Sequence, residues 1–251
     1  MWVFALGFLT AVLLEKASGH PVLFRVKRFL KGALIAGGVL KPGAKGRHGW
    51  VGPIRFTEEK RRFQIDFLKK QGLLPHHTVL DFGCGTLRGG LPMIAYLEPG
   101  NYCGVDVRPV VLEEARKELL ESGLASKSPR LVDGAAASRE LQGVRFDRIW
   151  AFNVLIHASD SVLRESMDFI AAHLKEAGVF FATVSIGKRL DTEWQGFPFV
   201  TRPLWLYEDE AARCRMKLGV IGTLDSFGYG FQDDGRRAEL IMLEMIPKKI
   251  S

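Results

Sequence analysis

The chain has 251 residues, 47% hydrophobic and 25% charged, enough apolar material for one large core or two small ones. Its formal net charge of +7 permits nucleic acid or an anionic membrane as a partner and selects neither. Three cysteines, Cys84, Cys103 and Cys214, are odd in number, far apart and without C-x-x-C spacing, which argues against a disulfide framework or a zinc site and for a reducing compartment.

Residues 1–14 carry no charged side chain. A membrane span needs roughly 20 apolar residues, so this run is short for a crossing. A secretory signal places cations ahead of its apolar run, whereas the first cation here, Lys16, follows it. In HPVLFRVKRFLKGALIAGGVL, Val22, Val26, Phe29 and Ala33 fall at helical spacing, and Arg25, Lys27, Arg28 and Lys31 take much of the remaining surface. That is the pattern of a helix lying on an anionic membrane, and it places residues 1–40 and the domain behind them at the cytoplasmic face. The competing reading packs both segments on the domain's own surface, giving a soluble cytoplasmic protein. Residues 41–56, rich in glycine and cations, read as a linker or flap.

A helix follows, opened by Thr57, Glu58 and Glu59 and closed by Gly72. Apolar runs then alternate with helical patterns: TVLDF, a helix to Tyr96, YCGVDV, a helix from Pro109 to Ser122, RLVD, FDRIWAF, a helix from Ser161 to Leu174, and VFFATVS. The alternation predicts parallel strands with helical crossovers, an α/β sheet covered on both faces. EDEAARCRMKLG reads as a last helix, and VIGTLDSF and AELIMLEMI as an antiparallel pair of strands.

The stretch TVLDFGCGTLRGG bears on function. In an open α/β sheet ligands bind beyond the carboxyl ends of the central strands, and Gly83 and Gly85 let backbone approach a ligand there. A dinucleotide fingerprint would put glycine at position 88, which is Arg88, and the charge of Asp81 opposes a diphosphate. The loop therefore suits a ligand with a cationic or donating group. Asp106, 21 residues after Gly85, ends the second strand, where a carboxylate accepts from both hydroxyls of a ribose. Asp133 ends the third, in reach of an adenine amino group. A ribose, an adenine and a cationic tail describe S-adenosylmethionine.

With these residues in place the chain resembles a class I S-adenosylmethionine-dependent methyltransferase over residues 57–247. VLDFGCGTLRGG is similar to that family's first motif, GVDV to the second, LVDG to the third and FDRIWAFNVLIH to the fourth. The resemblance implies a Rossmann-like fold: a mostly parallel seven-stranded sheet in the order 3-2-1-4-5-7-6, its last strand antiparallel. It places Asp81 near the methionine amino group and Gly83, Cys84, Gly85 and Arg88 along the cofactor. Asp106 and Val107 fall at the ribose side, Asp133 and Gly134 at the adenine, and Asn153 beside cofactor or acceptor.

Methyl transfer requires alignment, plus a base where the acceptor keeps its proton. His157, in AFNVLIHASD, is the candidate base, against a packing role. No Asn/Asp-Pro-Pro-Tyr/Phe stretch, metal-binding acidic cluster or nucleic-acid-binding module is evident, leaving a small-molecule, sugar or lipid-linked acceptor. Trp194, Phe197, Phe199, Trp205 and Tyr207 read as a rim that stacks on a sugar or apolar tail, with core filling by half of them as the alternative, and Arg88, Lys188, Arg189 and Arg202 as cations for an anionic group or a solvated surface. The run VLDFGCGTLRGG…LEPGNYCGVD also resembles bacterial methyltransferases of cell-envelope polysaccharide clusters. From a different class, the competing reading is a membrane-associated scaffold that binds cofactor without catalysis.

Overall fold

The computed structural model describes residues 57–194, 197–230 and 240–248. The membrane-associating segment 1–40 and the linker 41–56 inferred above lie outside the described residues.

Helix α1 (Thr57–Lys70) carries Glu58 and Glu59 in its first turn and Lys69 and Lys70 in its last, matching the helix dipole at both ends. After it, β1 (Val79–Phe82), α2 (Gly90–Tyr96), β2 (Tyr102–Asp106), α3 (Pro109–Glu121), β3 (Arg130–Asp133), α4 (Gly134–Glu140), β4 (Phe146–Ala151), α5 (Asp160–His173) and β5 (Leu174–Ile186) alternate as the sequence predicts. The remainder is β6 (Leu190–Trp194), β7 (Phe197–Arg202), α6 (Leu204–Arg213), β8 (Met216–Thr223) and β9 (Leu240–Pro247).

The sheet runs β3-β2-β1-β4-β5, all parallel, and β9 then pairs antiparallel with β5 and β8 antiparallel with β9. These seven strands reproduce the expected order and the antiparallel last strand. Among the described residues the sheet nevertheless has nine strands, because β6 and β7 are added between β5 and α6, where an aromatic-rich connection was expected. Ser185 pairs with Leu240 of β9 on one edge of β5 and with Thr201 of β7 on the other. Since β4 holds that second edge only as far as Ala182, β7 continues it past the end of β4.

Successive residues of each strand feed opposite cores, as a sheet buried on both faces demands. Val79, Tyr102, Trp150 and Phe181 pack toward α1, α2 and α3, and Leu80, Val105, Ile149 and Phe180 toward α4, α5 and α6. The first core is aromatic: Phe67 meets Trp150 and Phe181, and Phe63 meets Tyr229. Gln64 of α1 is buried within it, accepting from Trp150 Nε1 at 3.0 Å and donating to the Lys60 carbonyl. Gly89 makes room for that amide, because a Cβ there would lie 2.2 Å from Gln64 Oε1. Thus α1 is keyed to the start of α2 and so to the loop after β1.

Candidate functional site

The site lies where β1, β2, β3 and β4 end. After β1 the chain reverses through Gly83 (φ 83°) and Gly85 (φ 57°), while the Gly83 and Cys84 amides both donate to the Val105 carbonyl. The left-handed conformation favours glycine, and a Cβ at Gly83 would stand 2.4 Å from Val154 Cγ2. Gly104 opens the facing strand in the same way, since its Cβ would lie 2.9 Å from the Cys84 sulfur. The turn is thereby held tight against β2.

Asp106 is 5% exposed. Its Oδ2 accepts from the Gly85 amide at 3.0 Å, and its Oδ1 from the Arg108 amide at 3.0 Å and Arg108 Nε at 3.2 Å. A carboxylate offers about four lone-pair positions, and three are engaged. A ribose bringing two hydroxyl donors therefore displaces the Arg108 side chain, the one donor that can leave without moving backbone.

Asp81, also 5% exposed, sits opposite Gly104 in the register of β1 and β2, and Tyr102 donates to its Oδ2 at 2.6 Å. Burial pushes the Asp81 carboxyl up to about 7; the Tyr102 hydrogen bond pulls it down and the Asp106 charge pushes it up further. The Cys84 thiol is held protonated by burial and by both carboxylates, so it forms an inert wall. Two buried carboxylates thus lie close together, with the Arg108 guanidinium on Asp106 alone, and a cationic ligand would offset the charge of Asp81.

Asp133 faces Asp106 across β2 and β3, and its Oδ1 caps α4 by accepting from the Ala135 amide at 2.9 Å. Val107 is 75% exposed, and Gly134 admits it: a Cβ there would be 2.7 Å from Val107 Cγ1. Together they form an apolar ledge beside the Asp106 carboxylate. Arg88 is partly buried toward Arg61 and Tyr229, and burial lowers its guanidinium from the ordinary range.

Beyond β4, Asn153 is left-handed (φ 56°), and Thr183 of β5 locks it there. The Thr183 hydroxyl accepts from the Asn153 amide at 2.6 Å and donates to Asn153 Oδ1 at 3.1 Å. His157 Nδ1 lies 2.8 Å from the Pro198 carbonyl of β7, with Phe199 at 6.0 Å between ring centroids. A carbonyl can only accept, so Nδ1 carries the proton, and in the neutral ring Nε2 keeps its lone pair.

The structure corrects two sequence expectations here. Arg202 is fully buried and bonds Asp160 at 2.9 Å and the Ala158 carbonyl, holding β7 to the start of α5, while Arg189, just before β6, bonds Asp160 and Asp191. Of the aromatic rim, Tyr207 is a fully buried core residue packed with α5. Trp205 is exposed and Phe199 half-buried; the side chains of Trp194 and Phe197 lie outside the described residues. Sequence reasoning passed over Tyr102 and Thr183. Tyr102, Gly104 and Asp106 are spaced by two along one strand, a signal that puts all three on one face.

A parallel sheet with an acidic residue before a glycine turn, a second at the end of the neighbouring strand and an apolar ledge beside it is a Rossmann-like arrangement. Residues 80–180 match a family model described as a methyltransferase domain. A S-adenosylmethionine-dependent methyltransferase from Clostridium acetobutylicum is similar with a TM-score of 0.56 at 15% identity, over 77% of this chain and 92% of that one. The magnesium protoporphyrin IX methyltransferase of Synechocystis PCC 6803, with bound S-adenosylmethionine, gives 0.57 at 16% identity, over 78% and 86%. The glycopeptide N-methyltransferase MtfA complexed with S-adenosylmethionine gives 0.56 at 15%, over 74% and 93%. No curated protein matches the chain. Residues 80–180 thus match a methyltransferase domain, and the chain has the fold of solved S-adenosylmethionine-dependent methyltransferases.

The residues fit that cofactor. The buried Asp81–Asp106 pair suits a molecule bearing an ammonium and a ribose, and the bare backbone at Gly83 and Gly85 admits its close approach.

Proposed function

We propose that the protein methylates a sugar, lipid-linked glycan or other small acceptor presented at the cytoplasmic face of a membrane. When bound, S-adenosylmethionine would supply an activated methyl group, its sulfur keeping the electron pair of the broken carbon–sulfur bond as neutral S-adenosylhomocysteine. Asp81 binds the amino end, Asp106 the ribose, Val107 and Gly134 flank the adenine with Asp133 beside it, and Arg88 and Cys84 close the loop side. Asn153 and His157 stand at the acceptor side. His157, held through Nδ1, takes the acceptor's proton on Nε2 as general base.

The observation that carries this reading is the placement of His157 between the end of β4 and β7, with its Nδ1 proton committed to Pro198. The acceptor class draws support from the exposed Trp205, from the absence of nucleobase- and metal-type signatures in the sequence, and from its resemblance to envelope-polysaccharide methyltransferases. MtfA, by its name a glycopeptide methyltransferase, shares the fold. The membrane location rests on the sequence of residues 1–40, with its apolar run and the cations Arg25, Lys27, Arg28 and Lys31. Among the described residues no helix is long and apolar enough to cross a membrane.

Incorporation of labelled methyl groups into membrane lipids and glycans of producing cells tests the proposal. Label in a lipid or glycan fraction is expected, and His157→Ala should lose it while retaining cofactor affinity. Label confined to protein or nucleic acid would refute the acceptor class. Equal loss of stability and cofactor binding in His157→Ala would return that residue to packing.

A further inference from the structure

Tyr102 has no part in the scheme above, yet it is the nearest partner of the most unusual carboxylate in the molecule. Its ring is 2% exposed in the core beneath α2, and its hydroxyl donates to Asp81 Oδ2 at 2.6 Å. That hydroxyl has a place prepared for it: a Cβ at Gly90, the first residue of α2, would lie 2.3 Å from it. Gly104, between Tyr102 and Asp106 on the same strand face, keeps the space beside Asp81 clear of a side chain.

We propose that Tyr102 is a positioning residue for cofactor recognition, holding Asp81 by Oδ2 so that Oδ1 is left for the ammonium of the cofactor's amino-acid end. This rests on the S-adenosylmethionine reading of the site.

The groups around Asp81 explain why it needs such help. From β2 it meets Tyr102, the charge of Asp106 and the thiol of Cys103; from the glycine turn it meets the thiol of Cys84; and β4 sets Trp150, which is uncharged, opposite it in register. Burial and Asp106 both favour the protonated acid, and the Tyr102 hydrogen bond alone among these favours the anion. The phenol itself is kept protonated by burial and by the Asp81 charge, so it remains a donor across the working range. An ammonium arriving at a protonated Asp81 must first expel a proton. Tyr102 lowers that cost, and it aligns the carboxylate before the ligand arrives.

The test compares two ligands that differ only at the amino-acid end, S-adenosylhomocysteine and 5′-methylthioadenosine, by titration calorimetry from pH 6 to 9. For the wild-type chain, S-adenosylhomocysteine should bind more tightly as pH rises through 7 and release up to one proton below that pH, whereas methylthioadenosine should be nearly indifferent. Tyr102→Phe should weaken S-adenosylhomocysteine binding about tenfold at pH 7, in line with loss of a hydrogen bond to a charged group, and move its pH profile to higher pH. Methylthioadenosine affinity should hold. In an Asp81→Asn background Tyr102→Phe should no longer alter the pH dependence. Equal weakening of both ligands, or an unmoved pH profile, makes Tyr102 a packing residue and overturns the proposal. If Tyr102→Phe does not fold, Gly90→Ala, which crowds the hydroxyl while leaving the phenol present, must give the same alkaline shift, and its absence overturns the proposal equally. A wild-type chain that binds neither ligand refutes the cofactor reading itself.

Discussion

Replacing Asp81 by asparagine should stabilise the protein free of ligand, and the gain should depend on pH. The carboxyl stands at about 7 in the folded chain against an ordinary 3.8, because burial opposes its charge. Between those values the native state holds a proton that the unfolded chain has released, so unfolding loses protons and stability falls as pH rises. The stability linked to this proton is complete below about pH 4, drains away through the window and is gone above about pH 7. Three units of difference correspond to about 4 kcal/mol at the upper end of the window. Asparagine is neutral at every pH and can still accept from the Tyr102 hydroxyl. Urea unfolding at pH 5, 7 and 8.5 should therefore show Asp81→Asn gaining on the wild type as pH rises and levelling off above 7. The same substitution should weaken S-adenosylhomocysteine binding, the trade expected of a charge kept for a ligand. A stability difference that does not change with pH would refute the argument.

The other substitutions address the turn and the ribose side. Asp106→Ala removes a buried acceptor and should weaken S-adenosylhomocysteine binding about ten- to a hundredfold by calorimetry. Arg108→Ala, which removes the side-chain donor from Asp106 Oδ1 and leaves the backbone one, should leave that affinity unchanged or raise it a few-fold; a tenfold loss would mean that the guanidinium holds the ligand. Gly83→Ala must bear both a left-handed backbone and a contact at 2.4 Å with Val154, and should lose about 1–3 kcal/mol in thermal unfolding together with cofactor binding.

How much of this was legible in the sequence depended on whether a feature was local. The glycine turn, the acidic strand ends and the alternation of strands and helices are written in spacings of a few residues, and the seven expected strands appear in order. The added β7 was hidden because Pro198, which cannot donate to a ladder, and the nearby aromatics make FPFVTR resemble a loop. It pairs with β5 through Thr201 and Arg202, at its far end, and the Pro198 carbonyl serves His157 instead. The last helix was expected to run into Met216 and beyond. It ends at Arg213, and Arg215 turns left-handed (φ 55°) with no glycine to announce the break. Arg202 looked like a cation for a ligand, and its burial depends on Asp160, 42 residues away, which no local pattern reveals. Tyr102 was within reach, since a spacing of two puts it on the same strand face as Gly104 and Asp106.

The most direct test of the account is a crystal structure of the protein with S-adenosylhomocysteine. The ribose hydroxyls should lie on the Asp106 carboxylate with the Arg108 side chain displaced, and the ammonium should reach Asp81 directly or through one water, with Tyr102 still bonded to Oδ2. A ligand seated elsewhere, or one bound with Arg108 unmoved on Asp106 and no contact to Asp81, would contradict the account.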